Sequence, residues 1–230
     1  MIPWLSADAP FPPVEKALTE PNGLLAAGAD LSPARILEAY RLGIFPWFNP
    51  GEPVLWWSPD PRMVLVPSEF KQSRSLKQRM KKSGYEIRVD TSFRQVMEAC
   101  GEPRLGQSGT WIGRSMTDAY TQLHEMGFAH SIETWVDGEL AGGLYGLAIG
   151  RMFYGESMFT RRTDASKLAL AHLCGQLEKW NFGLIDCQME TMHLASLGAK
   201  PISRAAFIQE VKRLIELPPI ATPWQFTVAL

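Results

Sequence analysis

Cysteine and histidine are scarce in this sequence, and their scarcity excludes several kinds of stabilisation and chemistry. Among 230 residues there are 3 cysteines and 4 histidines. The cysteine count is odd, and neither residue type recurs at metal-ligand spacing, so we expect neither a disulfide framework nor a metal site. A reducing, cytoplasmic setting is therefore expected.

The sequence also lacks a charge imbalance and a long apolar run. Lys and Arg number 23 against 24 for Asp and Glu, a formal net charge of -1. A nucleic-acid partner must therefore be inferred from a local patch. No apolar stretch approaches the roughly 20 residues that span a bilayer. The first residues have no basic segment followed by an apolar run, so we expect neither a signal peptide nor a membrane partner.

Proline separates the first part of the chain from the rest. Most of the 17 prolines fall within residues 1–62, and so much proline forbids long regular elements there. One helix is still indicated, with Ser32 as its cap, Pro33 as its first residue and Gly43 as its end. We expect a small, loop-rich N-terminal domain over residues 1–62.

Residues 63–230 have the patterns of strands and helices in a second domain. The predicted strands are 63–66, 85–89, 129–136, 139–149, 152–159 and 184–188. The predicted helices are 68–82, 91–100, 114–126, 165–180 and 203–215. Asp137-Gly138 is a strong hairpin turn, and Asp164 is the predicted cap of helix 165–180. Hairpins mixed with covering helices indicate the α+β class.

A run of basic residues without an intervening acidic residue lies in the predicted helix 68–82. Its members are Lys71, Arg74, Lys77, Arg79, Lys81 and Lys82. On a continuous helix all six fall within one arc, while Leu76 and Met80 fall opposite. The run is either an ordinary solvated face, which is the usual fate of such runs, or a phosphate-binding surface.

Two predicted strands carry an acidic residue among apolar neighbours. Strict alternation places Glu156 on one face with Tyr154 and Met158, and it places Asp186 on one face with Gln188. A buried carboxylate requires a hydrogen-bonding or charged partner, or it has a functional role. A carboxylate beside an amide can orient that amide by a hydrogen bond. The alternative for both residues is a position open to water at the edge or end of a strand.

Several unusual sequence segments are distributed along nearly the whole chain. They are EPNGLLA (20–26), GIFPWF (43–48), WWSPDPR (56–62), GTWI (109–112), GESMF (155–159), ASK (165–167), LIDCQ (184–188) and HLASLGA (193–199). Together they resemble the bacterial leucyl/phenylalanyl-tRNA-protein transferases.

The resemblance implies an activity and a fold. Members of that family transfer leucine or phenylalanine, and less readily methionine, from the charged tRNA to a protein with an N-terminal arginine or lysine. The product is marked for degradation. The implied fold is a small N-terminal domain followed by a domain like that of the acyl-CoA N-acyltransferases. No metal or cofactor is implied, and we expect a monomer.

The resemblance also implies roles for individual residues. Gln188 contacts the attacking amine, Asp186 orients Gln188, and Glu156 positions the substrate. The residues implied to lie near the aminoacyl donor are Trp47, Trp111, Leu144, Phe153 and Met158. An α-amino group has a pKa of ~8, so a useful fraction is neutral without a strong base. The predicted tRNA-binding surface is the basic run.

Strict alternation along the strand 152–159 restricts the donor pocket. It places Phe153 and Met158 on opposite faces, so only one of them lines the pocket unless a bulge intervenes. Met158 is the expected one, because it shares the face of Glu156.

Two other functions compete with this interpretation. A coenzyme-A-dependent N-acetyltransferase would cradle pyrophosphate on a glycine-rich loop at a helix start, but residues 160–167 contain no glycine. A non-catalytic RNA-binding module would explain the basic run, but it would leave Glu156, Asp186 and Gln188 unexplained.

Overall fold

The computed structural model describes residues 2–103 and 110–226 of the chain. A four-stranded sheet has the order β1-β2-β4-β3 and consists of β1 (Trp4–Leu5), β2 (Leu24–Gly28), β3 (Phe45–Pro46) and β4 (Leu55–Trp57). A seven-stranded sheet has the order β11-β5-β10-β9-β8-β7-β6. Its strands are β5 (Arg62–Leu65), β6 (Glu86–Val89), β7 (Ala129–Val136), β8 (Glu139–Ile149), β9 (Met152–Thr160), β10 (Leu184–Gln188) and β11 (Lys200–Ile202).

Helices cover both faces of the larger sheet. They are α1 (Pro33–Arg41), α2 (Arg74–Met80), α3 (Phe93–Cys100), α4 (Arg114–Glu125), α5 (Ala165–Lys179), α6 (Met192–Ser196) and α7 (Arg204–Ile215). The apolar side chains of α5 pack with Leu144 and Phe153 on one face. Those of α1, α3 and α4 pack with Tyr145 and Tyr154 on the other. The predicted α+β class is confirmed.

The first helix follows its sequence signals. The Ser32 side chain accepts a hydrogen bond from the backbone N–H of Arg35 at 3.4 Å, and Pro33 is the first helical residue. Gly43 follows the helix with φ +74°, a conformation that costs glycine little. The predicted extent of α1 is confirmed.

The two sheets divide near the predicted domain boundary. The small sheet ends at Trp57 and the large sheet begins at Arg62. One hydrophobic cluster nevertheless contains buried side chains from both parts, among them Tyr40, Trp56 and Tyr154. The division into domains 1–62 and 63–230 stays a prediction.

The helix predicted over residues 68–82 is wrong in its extent. A 3₁₀ turn occupies Pro67–Glu69, and α2 is a separate helix that begins after Ser73. The Ser73 side chain accepts a hydrogen bond from the backbone N–H of Leu76 at 3.1 Å, so it caps a new helix. The backbone N–H of Lys71 donates to the Leu197 carbonyl at 2.8 Å instead of joining a helix. The single basic arc is therefore also wrong, because only Arg74, Lys77 and Arg79 of the run lie within α2.

The predicted side-chain cap of α5 is also wrong. Asp164 does precede the helix, but its φ is 64° and its side chain makes no capping hydrogen bond. An N-cap residue normally has extended backbone, and the left-handed backbone of Asp164 departs from that geometry. Its carboxylate instead lies 3.1 Å from Nζ of Lys167.

A β-bulge overturns strict alternation along β9. Ser157 pairs with Tyr145 of β8, whereas Gly155 already pairs with Gly146, so Glu156 is an extra residue on β9. An extra residue reverses the alternation of side chains beyond it. Tyr154 therefore packs on the α1 and α4 face, whereas Met158 packs with Phe153 on the α5 face.

Candidate active site

An apolar cavity of about 290 Å³ lies where β9 and β10 meet α5 and α6. Its volume is near the lower end of the roughly 300–1,000 Å³ of small-molecule sites. The apolar side chains that line it include Leu65, Leu144, Phe153, Met158, Leu170, Leu173, Ile185 and Leu194. Glu156 and Asp186 also line it, so the cavity combines an apolar wall with acidic residues.

The structure brings three of the five predicted donor-binding residues to this cavity. Leu144, Phe153 and Met158 all line it. Strict alternation predicts that, of Phe153 and Met158, only Met158 lines the pocket unless a bulge intervenes. The bulge at Glu156 does intervene and turns Met158 onto the same face as Phe153, so both line the cavity. Within the part of the chain that the structure describes, Trp47 and Trp111 are not among the lining residues.

The two tryptophans have other surroundings, and their role in donor binding stays a prediction. Trp47 is 39% exposed and packs edge-on against Trp57. Trp111 is partly buried against the main hydrophobic cluster. Gly109, which belongs to the same motif as Trp111, lies outside the described residues.

Glu156 is the centre of a hydrogen-bond network that joins distant parts of the sequence. Its Oε1 accepts from the Tyr40 hydroxyl at 2.6 Å and from Nε2 of Gln188 at 3.0 Å. Its Oε2 accepts from the Tyr120 hydroxyl at 3.3 Å. The two hydroxyl oxygens lie 2.6 Å apart. Helices α1 and α4 and strand β10 therefore fix one carboxylate together.

The environment of Glu156 holds its pKa near neutrality. Burial raises this pKa to about 7, the hydrogen bond from Tyr40 opposes the rise, and the charge of Asp186 adds to it. Burial also raises the pKa of Tyr40 and of Tyr120 well above its usual value, so both phenols remain neutral hydrogen-bond donors. The carboxyl group can therefore change protonation state near pH 7.

Asp186 forms a buried ion pair with Arg62. Nε and Nη2 of Arg62 donate to the two carboxylate oxygens at 2.8 and 2.7 Å, and both side chains are 0% exposed. Nη1 of Arg62 donates to the Gly43 carbonyl at 3.1 Å. The guanidinium carbon lies 4.5 Å from the centre of the Phe207 ring. The side chain of Asp186 is therefore fixed by paired, directional hydrogen bonds from one guanidinium group.

The link between Asp186 and Gln188 differs from the predicted one. Gln188 has φ 61°, and the pairing of β10 with β5 shifts register between these two residues. The backbone N–H of Gln188 donates to Oδ1 of Asp186 at 2.9 Å, while its side chain turns to Glu156. The predicted shared face is wrong, because the left-handed backbone redirects the amide.

Sequence reasoning missed three members of this network. Arg62 gave a weak signal, because it directly precedes the apolar strand predicted over 63–66. The structure places it inside the fully buried strand β5, where a guanidinium requires a partner. Tyr40 and Tyr120 gave none, because a tyrosine on the buried face of a helix is usually core. In residues 2–103 and 110–226, no cluster of three His, Cys, Asp or Glu could hold a metal ion.

Comparison with known proteins identifies close relatives. The family model described as leucyl/phenylalanyl-tRNA protein transferase matches residues 64–212, and the model of that family's N-terminal domain matches residues 29–60. The protein named leucyl/phenylalanyl-tRNA–protein transferase from Nitrosomonas europaea is 63% identical over 226 residues, or 98% of this chain and 96% of the relative. The protein of the same name from Thiobacillus denitrificans is 63% identical over 216 residues, or 94% of this chain and 95% of the relative.

Solved structures show a more distant likeness. A conserved protein of unknown function from Bacteroides thetaiotaomicron has a TM-score of 0.46 at 13% identity, covering 63% of this chain and 56% of that one. A GCN5-related N-acetyltransferase from Kribbella flavida has a TM-score of 0.38 at 12% identity, covering 73% of this chain and 60% of that one.

Proposed function

Since this chain belongs to the leucyl/phenylalanyl-tRNA protein transferase family, we propose that the cavity beside Glu156 and Gln188 is the site of its reaction. The chain is an aminoacyltransferase that moves leucine or phenylalanine from aminoacyl-tRNA to protein N-termini. The observation that carries the proposal is the contact of an apolar cavity with a buried, hydrogen-bonded carboxylate.

The cavity suits the donor by shape and chemistry. Leucine, phenylalanine and methionine side chains are apolar, and the walls formed by Leu144, Phe153 and Met158 give them an apolar environment. With the side chain inside the cavity, the ester carbonyl of the aminoacyl-tRNA lies toward its polar residues. Glu156 and Gln188 then flank the reacting carbon.

The reaction needs positioning more than it needs a strong base. The neutral α-amine attacks the ester carbonyl, a C–N bond forms, and the C–O bond to the terminal ribose of the tRNA breaks. The amine loses one proton and the departing ribose oxygen gains one. Because the pKa of an α-amino group is ~8, a useful fraction of the amine is already neutral at cytoplasmic pH. Alignment of amine and carbonyl therefore supplies much of the rate.

Gln188 and Glu156 have complementary roles in that alignment. Gln188 donates its amide N–H to Glu156, which fixes the plane of the amide and leaves the carbonyl arm to accept a hydrogen bond from the attacking amine. The Glu156 carboxylate stabilises the positive charge that develops on that amine. Asp186, whose carboxylate oxygens are engaged by Arg62, holds the backbone of Gln188 in place.

The finer identity of the substrates follows from the same proposal. The acceptors are proteins with an N-terminal arginine or lysine, and the donors are leucyl-, phenylalanyl- and, less readily, methionyl-tRNA. The product carries a residue that marks it for degradation. The protein acts as a monomer in the cytoplasm, and in the described part of the chain no helix has the length and apolarity of a membrane span.

A transfer assay tests the proposed function directly. The protein is incubated with labelled leucyl-tRNA and a peptide that begins with arginine, and label on the peptide is the expected result. The same peptide with an acetylated N-terminus is the matched control and should remain unlabelled. Binding of the tRNA without transfer would favour an RNA-binding module. Transfer from acetyl-coenzyme A instead would favour an N-acetyltransferase.

The basic run remains the proposed tRNA-binding surface, although it is no longer one helical arc. Arg74, Lys77 and Lys81 are exposed at or directly after α2. Leu76 fixes α2 against α5 through Leu168, and α5 also carries cavity residues. Basic side chains on α2 are thus attached to an element that lines the donor site.

Replacing Arg74, Lys77 and Lys81 together by alanine is expected to weaken tRNA binding. If each contacts one phosphate, the slope of log affinity against log salt falls by about 2, at roughly 0.7–0.9 per contact. A triple alanine variant of exposed Lys16, Lys212 and Arg213 is the matched control. Filter binding at several salt concentrations measures both. An unchanged slope in the α2 variant would show that its basic face is ordinary solvated surface.

Replacing Tyr40 by phenylalanine is expected to move the pH profile of transfer. The Tyr40 hydrogen bond lowers the pKa of Glu156, so its loss raises that pKa. If the carboxylate is the active form, the acidic limb of the rate profile shifts upward by about half to one pH unit. The other titratable side chains whose interactions bear on this carboxyl group, Tyr120, Tyr145 and Asp186, are retained.

The control for this prediction is Tyr85→Phe, which removes a hydroxyl that bonds His172 rather than Glu156. Single-turnover rates across the neutral range give both profiles. A uniform loss of rate without a shift would mean that Tyr40 only supports the fold.

A further inference from the structure

The tail after α7 returns to the molecule and buries one tryptophan behind the donor cavity. Trp224 is 4% exposed, and its ring stacks on His130 with centroids 3.6 Å apart and planes 6° apart. Trp180 packs edge-on against it at 5.0 Å. The Nδ1 atom of His130 lies 2.8 Å from Oδ2 of Asp90. Trp224 is therefore surrounded by a packed cluster of aromatic and polar side chains.

Trp224 also contacts a wall of the cavity. Its ring centroid lies 6.2 Å from that of Phe153, and Phe153 lines the cavity. The Phe153 ring also lies close to Gly146, where an added Cβ would be 2.7 Å from two ring atoms. Because Gly146 has no side chain, the Phe153 ring fits at this position, where it also contacts Trp224.

We propose that Trp224 is a positioning residue that sets the size of the donor cavity through Phe153. This inference rests on the proposed function of the cavity. A buried aromatic ring keeps its place because its neighbours fill the surrounding volume. Without the indole of Trp224, the Phe153 ring can move into the space that the indole occupied. The cavity then becomes larger at the wall that contacts the end of the donor side chain. A wider cavity favours phenylalanine over leucine, since selection among apolar side chains depends on fit.

The test compares leucyl-tRNA with phenylalanyl-tRNA in Trp224→Leu. The ratio of kcat/KM for phenylalanine to that for leucine is expected to rise by about tenfold, the lower end of the effect of one methylene in an apolar pocket. Phe153→Leu, which widens the cavity directly, should move the ratio in the same direction. The double variant should show less than the product of the two effects, because both act on one wall.

Two further variants keep the test decisive. Phe226→Leu alters the same tail at a residue that contacts Trp224 and Trp180, and it should shift the donor ratio less than Trp224→Leu does. Trp224→Phe keeps an aromatic ring and should give a smaller shift in the same direction, which decides the matter if Trp224→Leu does not fold.

An unchanged donor ratio in the folded Trp224 variants would overturn this inference, whatever happens to their overall rates. The unaltered protein separates this failure from that of the proposed function. If it transfers neither amino acid, the function itself is wrong. If it transfers both while the Trp224 variants keep its ratio, only the role of Trp224 is wrong.

Discussion

Replacing Gln188 by alanine is expected to slow transfer by about 10²-fold while leaving tRNA affinity nearly unchanged, since loss of a positioning contact at a reacting centre commonly costs this much. The variant loses the amide that bonds Glu156. It keeps the backbone N–H that donates to Asp186, so the bulged strand end should persist. The loss should therefore fall on the chemical step.

Single-turnover rates at saturating leucyl-tRNA, with tRNA affinity measured in parallel, check this expectation. Gln209→Ala removes a glutamine side chain from the helix α7 and serves as the matched control. A Gln188→Ala protein that transfers leucine at the rate of the control would remove Gln188 from the reaction. Equal losses of rate and affinity would point instead to a damaged fold.

Replacing Asp186 by alanine is expected to reduce the free energy of unfolding by about 3–5 kcal/mol, because it leaves the Arg62 guanidinium buried without its partner. Both side chains are wholly buried, and solvent cannot replace the lost pair. Arg62→Ala should cost a similar amount for the converse reason. Urea unfolding of each variant measures the loss.

A double variant separates stability from activity at this pair. Arg62→Met with Asp186→Leu removes both charges, and apolar residues of similar size often restore the stability of a buried ion pair. We expect the double variant to unfold closer to the unaltered protein than either single variant. Its transfer should stay slow, because Gln188 has lost the acceptor that holds its backbone. Full recovery of transfer would show that Asp186 is only structural.

The sequence predicts this fold well where local signals act alone. The cap at Ser32 and the Asp137-Gly138 turn appear where their residue types require them. The errors arise where a local irregularity outweighs periodicity. Ser73 begins a new helix inside a run that reads as one, and the extra residue at Glu156 reverses the faces of the strand beyond it.

The candidate site was predictable in its acidic and amide residues but not in their partners. The sequence indicates Glu156 and Asp186 because each carboxylate lies between apolar neighbours, and burying a charged group without a partner is costly. Tyr40 and Tyr120 are not indicated, since their distance from Glu156 depends on how α1 and α4 pack against the sheet. The contact of Trp224 with Phe153 could not be predicted either, because no local sequence pattern indicates that the tail packs against Phe153.

Entry of the donor side chain into the cavity beside Glu156 can be tested by crosslinking with a tRNA that carries a photoreactive diazirine analogue of leucine. After irradiation and digestion, we expect label on wall residues such as Met158, Leu170 and Leu173, and leucyl-tRNA should compete with this labelling. Label confined to α2 or to the small sheet, with none on the cavity wall, would show that the donor side chain binds elsewhere.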